Sequence, residues 1–200
     1  MSKIVLPLHG MPEDIIQQQI LQAAQQLFQK HGYQKVTMDD VAKAIGKGRS
    51  SLYYYYRNKD EVFDAVMSAE IDEIIAEITR MVDREETVEG KLRAYGITKT
   101  KIGRKRKVFF DMFETAMNPD ELSQYTQRKK VIQKKIRKDE LALLNRVLAD
   151  FSPEDKDSII FVFTSSLRGF KREFELENSY TRMEPAIDAL VRMTMLAIKS

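Results

Sequence analysis

The sequence contains no cysteine and no tryptophan, and it has only two histidines, eight glycines and five prolines. Without cysteine the chain can form neither disulfides nor thiolate metal sites, and cysteine-based catalysis is excluded. His9 and His31 do not form the short His-x-x-His spacing of a zinc site, so we expect no metal. The sequence also lacks a Ser-His-Asp set, a P-loop and a dinucleotide-binding glycine pattern. We therefore predict a protein that is not an enzyme and that uses no cofactor.

Long apolar runs are absent too. No run approaches the roughly 20 residues that a helix needs to cross a bilayer. The first residues, MSKIVLPLHG, carry one lysine and a short, broken apolar patch without a cleavage site, so we expect no signal peptide. With 43% apolar and 32% charged residues, the composition is that of a folded globular protein. We expect a cytoplasmic protein with no membrane partner.

The formal net charge of +3 conceals a strong division along the chain. Basic and acidic side chains number eight and five in residues 1–60, two and nine in 61–86, fifteen and five in 87–138, and eight and eleven in 139–200. The modest N-terminal excess suits phosphate binding. The larger excess includes the basic segment Lys99–Lys107, most simply an exposed loop and helix end. The alternatives are a site for an anionic effector and an auxiliary nucleic-acid contact.

Helical periodicity dominates the chain, and no segment shows sustained strand alternation. We predict an all-α protein of about nine helices. One long helix is expected over Lys59–Val82, two shorter helices on either side of Gly103, and another long helix over residues 121–151. A strong start signal at Ser152 and Pro153 predicts the next helix, and apolar periodicity predicts a last helix from about Met183.

The segment Thr37–Val62 has the features of two short helices joined by a tight turn. Thr37 followed by Asp40 predicts an N-cap with a variant capping box. Gly46 lies where a helix ends in a left-handed residue, a conformation that glycine adopts without steric cost. Asn58 predicts the start of the next helix. Two short helices with a turn of this kind form the helix-turn-helix motif, whose second helix enters the major groove of DNA.

On these residues the sequence resembles the DNA-binding module of the TetR family of bacterial repressors. The matching positions cover roughly residues 13–66 and comprise Ala23, Ala24, Leu27, Phe28, Gly32, Thr37, Val41, Ala42, Gly46, Leu52, Tyr53, Tyr56, Asn58, Lys59, Asp60 and Val62. The turn departs from the family pattern, because Lys47 and Gly48 replace a small apolar residue followed by serine. We expect an exposed turn, since Lys47 cannot be buried there. Ser50 and Ser51 replace the Gly or Thr that is frequent in the family's reading helix.

The resemblance implies a set of DNA-binding residues in and around the second helix. They are Thr37, Lys47, Gly48, Arg49, Ser50, Tyr53, Tyr54, Tyr55 and Lys59. Basic and hydroxyl side chains and helix N-termini are the protein groups that bind phosphates. For the tyrosines the simpler alternative is that Tyr53 and Tyr56 lie partly in the core while the others face solvent.

The resemblance also implies a DNA-binding domain at residues 12–72 and an effector-binding and dimerisation domain at residues 73–200. The protein would be a homodimer on a double-stranded DNA operator, and a repressor that a small-molecule effector releases. Candidate effector-binding residues are Phe109, Phe110, Phe113, Tyr125, Phe163 and Phe170. The alternative is an architectural or regulatory DNA-binding protein without an effector.

The apolar stripes of the last two helices predict a dimer interface, because an uncovered apolar patch of that breadth is rare on soluble proteins. We expect this interface to include Phe163, Leu167, Phe170, Leu190 or Thr194.

Overall fold

The computed structural model describes residues 13–115, 119–151 and 156–198, and these residues form only helices and their connections. The helices are α1 (Glu13–His31), α2 (Met38–Ala44), α3 (Arg49–Tyr55), α4 (Lys59–Asp83), α5 (Val88–Thr115), α6 (Pro119–Val147), α7 (Lys156–Leu176) and α8 (Met183–Ala197). The all-α prediction is confirmed, and eight helices in the described ranges are close to the nine expected.

The expected break near Gly103 is wrong. Helix α5 continues through this residue, so the basic segment Lys99–Lys107 is helical and is not a loop. A single interior glycine costs a helix only about 1 kcal/mol. Leu92 and Ile102 are buried on the same helix, and this packing outweighs the loss. The predicted cap at Ser152 lies outside the described residues.

The chain divides into two compact units. The first contains residues up to Ala69 together with 109–128, and the second contains 70–108 and 129–200. Helices α4, α5 and α6 therefore each contribute residues to both units. The domain boundary that we place at residue 72 stays a prediction.

An aromatic cluster forms the centre of the first unit. The rings of Phe28, Tyr33 and Phe63 lie with centroids 5.0–5.8 Å apart in tilted and edge-on arrangements, which aromatic pairs prefer. The hydroxyl group of Tyr33 donates a hydrogen bond to Asp60, so its polar end is satisfied at the border of the core. This cluster joins the end of α1 to the start of α4.

The second unit packs a larger core around Tyr95 of α5, whose side chain is fully buried. The ring of Phe163 on α7 lies 6.0 Å from that of Tyr95. At Gly96 an added Cβ would lie 2.9 Å from Cγ2 of Ile187 on α8. Glycine at this position therefore permits the close approach of α5 to α8.

The residues that we expected in a dimer interface lie in this core instead. Phe163, Leu167, Leu190 and Thr194 are only 2–7% exposed within the single chain. Phe170 is partly buried against the same cluster. The interface prediction is wrong for Phe163, Leu167, Leu190 and Thr194, because these parts of α7 and α8 cover the unit's own core, and it stays a prediction for Phe170.

Acidic side chains of α4 form ion pairs with basic side chains of α6 within the second unit. Nζ of Lys135 lies 2.5 Å from Asp72, and Arg146 lies 2.8 Å from Asp83. The two acids on α4 and the two bases on α6 are each eleven residues apart, about three helical turns. The acidic stretch of α4 thus runs parallel to the basic stretch of α6 and offsets its charge.

The basic segment of α5 also has partners inside its unit. Lys101 forms a 3.2 Å ion pair with Glu184 of α8. The guanidinium of Arg104 lies 4.3 Å above the ring of Tyr180, which is cation–π distance. Lys99 is largely buried. Several cationic side chains of the basic segment therefore interact with residues of their own unit.

Candidate DNA-binding site

The first helix of the motif begins with the predicted cap. The backbone N–H of Asp40 donates to Oγ1 of Thr37 at 3.2 Å, and Oδ2 of Asp40 accepts from the backbone N–H of Thr37 at 2.9 Å. This reciprocal pair is a capping box. The same carboxylate accepts from the Thr37 hydroxyl, and these hydrogen bonds lower the pKa of Asp40. Val36 and Val41, which flank the cap, are both buried.

The turn between α2 and α3 is fixed by Gly46. This glycine has φ +65°, the left-handed conformation predicted for it. Its N–H donates to the carbonyl of Lys43 at 3.0 Å, and the N–H of Lys47 donates to the carbonyl of Ala42 at 2.9 Å. These two bonds make a Schellman motif, which ends α2 and redirects the chain. Gly48 then N-caps α3 without a side-chain hydrogen bond.

Helix α3 presents one buried residue and an exposed face. Leu52 is completely buried and anchors the helix to the first unit. The exposed residues are Arg49, Ser50, Ser51, Tyr53 and Tyr54. Tyr54 is 75% exposed and Tyr53 is 39% exposed. Cationic, hydroxyl and aromatic groups thus project together from a single short helix.

Arg49 is held by two neighbours. Its Nη2 donates to the hydroxyl of Tyr53 at 3.1 Å, and the guanidinium lies 5.3 Å from the centre of that ring. On the other side its Nε lies 3.5 Å from Oδ1 of Asp39 on α2. The hydrogen bond with Tyr53 and the negative charge of Asp39 both raise the pKa of Arg49. The contacts orient a guanidinium that stays open to solvent.

Lys59 lies at the start of α4, where its ammonium group contacts the chain that follows α1. Its Nζ donates to the carbonyl of Tyr33 at 2.9 Å and to that of Gln34 at 3.4 Å. It also lies 4.2 Å from the centre of the Tyr33 ring. Lys59 therefore fastens two segments of the first unit, a role in addition to the phosphate contact predicted for it.

The remaining candidates line or border a groove beside α3. The groove has a volume of about 330 Å³, and its walls are Ile16, Ile20, Ile45, Lys47, Ser50, Ser51, Tyr54 and Tyr55. The rings of Tyr54 and Tyr55 meet edge to face at 5.0 Å. Lys47 is half-buried, while the two glycines on either side of it are exposed as expected for the turn. Tyr56 is half-buried, and this burial raises the pKa of its hydroxyl.

The structure thus brings the nine predicted DNA-binding residues into one unit. The contact between Asp39 and Arg49 could not be predicted from the sequence, because the two residues lie on different helices. The effector candidates are less well placed. Phe163 and Phe170 belong to the core of the second unit, and the side chains of Phe109, Phe110, Phe113 and Tyr125 lie outside the described residues.

Two other kinds of site are absent from the part of the chain that the structure describes. No cluster of three or more His, Asp or Glu side chains there has the arrangement to hold a metal ion. None of the helices there is both long and apolar enough to span a membrane.

A capped helix, a Schellman turn and a second helix with an exposed polar face form a helix-turn-helix motif. Residues 20–66 match the family described as "Bacterial regulatory proteins, tetR family". The resemblance inferred from the sequence is confirmed for these residues, which match the N-terminal domain of the TetR family.

Two curated relatives illustrate the match. The chain is 38% identical over 55 residues to YhgD, an uncharacterised HTH-type transcriptional regulator of Bacillus subtilis; the match covers 28% of this chain and 29% of YhgD. It is 41% identical over 44 residues to IcaR, the negative transcriptional regulator of the biofilm operon icaADBC in Staphylococcus epidermidis, covering 22% of this chain and 24% of IcaR. The chain therefore matches less than a third of either relative.

The likeness in three dimensions extends much further. The transcriptional regulator FadR from Bacillus subtilis, solved in complex with stearoyl-CoA, superposes with a TM-score of 0.57. The superposition covers 90% of this chain and 98% of FadR at 15% sequence identity. At this low sequence identity, the superposition shows a shared fold and nothing beyond it.

Proposed function

We propose that this chain is a sequence-specific DNA-binding transcriptional regulator of the cytoplasm, acting as a homodimeric repressor that a small-molecule effector releases from its operator. The observation that carries the proposal is the exposed face of α3. Arg49, Ser50, Tyr53 and Tyr54 are all exposed on one helix, which the buried Leu52 anchors to the first unit.

Each candidate residue has a distinct part in this proposal. Arg49 reads a base, since a guanidinium can donate two hydrogen bonds to O6 and N7 of guanine. Ser50 and the tyrosines Tyr53–Tyr55 contact phosphates or base edges. Thr37, Lys47, Gly48 and Lys59 contact the phosphate backbone through side chains or helix N-termini, and thereby fix the register of α3 in the groove.

Repression and release by an effector rest on the similar proteins. IcaR is a negative regulator, and FadR was solved with a bound acyl-CoA. An effector bound to the second unit would change the separation of the two helix-turn-helix motifs of the dimer. This is a coupling between two distinct binding sites.

The homodimer is supported by an exposed apolar face on α7 and α8. Val162, Leu176, Met193 and Leu196 are between 57% and 73% exposed, although each is a large apolar residue. Burying such a face against a second copy removes it from water on both chains, and two-fold pairing is the commonest oligomer. Dimers of helix-turn-helix proteins bind half-sites about one DNA turn apart.

Gly169 lies on the same exposed side of α7. A Cβ added there would meet nothing within 4 Å in the single chain. Glycine in a helix interior costs about 1 kcal/mol relative to alanine, and no contact within the described residues requires glycine here. We infer that a partner helix approaches closely at this position.

Selection from a library of random duplexes tests the proposal. The full-length protein should enrich a palindromic sequence with half-sites separated by one helical turn or a multiple of it. Failure to enrich any common sequence at physiological salt, where non-specific binding is weak, would contradict the proposed function.

A further inference from the structure

The second unit contains an open cleft between α6 and α7. Its volume is about 360 Å³, and its lining residues are Arg137, Glu140, Leu141, Asp157, Ile160, Phe161, Thr164 and Arg168. Small-molecule sites in proteins usually have volumes of about 300–1,000 Å³. The cleft is thus large enough for a small ligand, and Phe163 and Phe170 do not line it.

One wall of the cleft is apolar. It is formed by Leu141 of α6 and Phe161 of α7, which are exposed, and by Ile160 of α7, which is only 3% exposed. Phe161 is 66% exposed, which is unusual because phenylalanine is among the residues most often buried. A flat apolar body could remove part of this surface from water, a gain that scales with the buried area.

The floor of the cleft is a buried charged network. Glu140 is only 5% exposed, and its Oε1 lies 2.6 Å from Nζ of Lys99. The same ammonium donates a hydrogen bond to the hydroxyl of Tyr95 at 3.2 Å. Burial lowers the pKa of Lys99 and raises that of Tyr95. The network holds the carboxylate of Glu140 in place, and the positive charge of Lys99 offsets the negative charge of this carboxylate.

The remaining charges of the cleft favour an anion. Arg137 and Arg168 contribute two guanidinium groups, against the single carboxylate of Asp157. Within the described part of the chain, neither arginine forms an ion pair with a carboxylate. Arg168 donates to the hydroxyl of Ser165 at 2.6 Å, which orients it and leaves other N–H groups for a ligand.

We propose that this cleft binds a small organic anion with an apolar body, and that it is the effector site of the function proposed above. The apolar body packs on Leu141, Ile160 and Phe161. Arg168 and Arg137 hold the carboxylate of the ligand, because a guanidinium matches the two oxygens of a carboxylate in geometry and charge.

A basic face of α6 leads along the helix to the cleft. Lys130, Lys134, Arg137 and Leu141 follow one another at spacings of three and four residues, so they lie on one side of the helix. The first three are exposed and cationic. A row of like charges raises the local concentration of anions and speeds their association.

The test uses 2-naphthoate as the probe and isothermal titration calorimetry on the full chain. Saturable binding of one molecule per chain is expected, with no binding of the neutral 2-naphthamide over the same range. Arg168→Gln should weaken 2-naphthoate binding about ten- to a hundredfold, the usual effect of losing hydrogen bonds to a charged group. Arg172→Gln is the matched control, since Arg172 is an exposed arginine of the same helix outside the cleft.

The location is read from methyl NMR spectra, in which the methyl signals of Ile160 and Leu141 should shift on titration with 2-naphthoate. No saturable binding at millimolar probe, equal binding of the amide, or equal losses in Arg168→Gln and Arg172→Gln would each overturn the proposal. These outcomes are independent of DNA binding, which is measured on the same protein by duplex selection. Loss of the ligand site and loss of the regulatory function are therefore distinguishable.

Discussion

At the scale of single residues, the proposed mode of DNA binding depends on the orientation of Arg49 on α3. Its contacts with Asp39 and Tyr53 restrict a side chain that otherwise has many rotamers. A side chain ordered before binding loses less entropy when it engages a base. The carboxylate of Asp39 also repels phosphates, so it weakens binding that does not use the base contact.

Replacing Asp39 by asparagine should therefore relax specificity. Asp39→Asn removes the ion pair and the repulsion, so affinity for random duplex should rise relative to affinity for the selected sequence. We expect the ratio of the two affinities to fall about two- to fivefold, the range of an exposed ion pair. Fluorescence anisotropy with both duplexes measures it. Asp14→Asn on α1 is the control, and an unchanged ratio in Asp39→Asn would refute the restraining role.

The cap of α2 predicts a pH dependence. The pKa of Asp40 is lowered in the folded state from its ordinary value of 3.8 by hydrogen bonds from Thr37. Its contribution to stability is therefore complete above that value and is lost as the pH falls through the lower folded-state pKa. An NMR titration should give an Asp40 midpoint below 3.8 in the wild type.

Thr37→Ala should move the Asp40 midpoint upward, since the hydroxyl is the largest cause of the shift. It should also lower the free energy of unfolding by about 0.5–2 kcal/mol, as lost N-caps do. Thr37→Ser retains the hydroxyl and should leave the midpoint near that of the wild type. Identical midpoints in Thr37→Ala and the wild type would contradict the capping box.

At the scale of helices, the features that depend on neighbouring residues were predicted from the sequence, and the features that depend on contacts distant in sequence were not. The cap at Thr37 and the turn at Gly46 depend on residues within five positions of each other, so the sequence contains all the information. The continuity of α5 through Gly103 depends on burial in the second unit, which no local pattern encodes. Likewise, Lys59 bonds to the carbonyl of Tyr33, 26 positions earlier, and the sequence predicted only a phosphate contact.

The packing of α5 predicts opposite effects for two glycines of that helix. Gly96→Ala would place Cβ 2.9 Å from Cγ2 of the fully buried Ile187, so neighbouring atoms must move. Overpacking of this kind costs about 1–3 kcal/mol, which exceeds the gain of about 1 kcal/mol in helix propensity. Chemical denaturation should therefore show a lower free energy of unfolding.

Gly103→Ala is the matched control for this effect. Its Cβ would meet only the flexible side chain of Lys171, at 3.6 Å or more. The propensity gain of about 1 kcal/mol should then raise the free energy of unfolding. A stabilised Gly96→Ala variant would show that α5 and α8 are not in the close contact described.

At the scale of the whole molecule, the assembly should depend on the outer face of α7 and α8. Val162→Glu places a charge on that face without touching the core, since Val162 is 57% exposed. We expect sedimentation equilibrium to show dimers of the wild type and monomers of Val162→Glu, because burying an unpaired charge costs several kcal/mol. Circular dichroism should show unchanged helix content.

Val131→Glu is the control for the assembly experiment, since Val131 of α6 is also exposed and apolar but lies on another helix. Dimers in both variants would place the interface elsewhere, and a monomeric wild type would refute the dimer. The sequence indicated that α7 and α8 carry broad apolar surfaces. The sequence could not indicate which side of each helix packs into the protein's own core. Apolar periodicity identifies an apolar side of a helix but not the surface that covers it.

The most direct test of DNA reading by α3 is the comparison of sequences that the wild type and Arg49→Ala select from the same random library. Loss of an arginine contact to guanine should erase the base preference at one position in each half-site and leave the half-site spacing intact. Arg84→Ala changes an exposed arginine in the turn that follows α4, and this variant should select the wild-type sequence. If Arg49→Ala selects the wild-type sequence with the same preference at every position, Arg49 of α3 does not read the DNA bases.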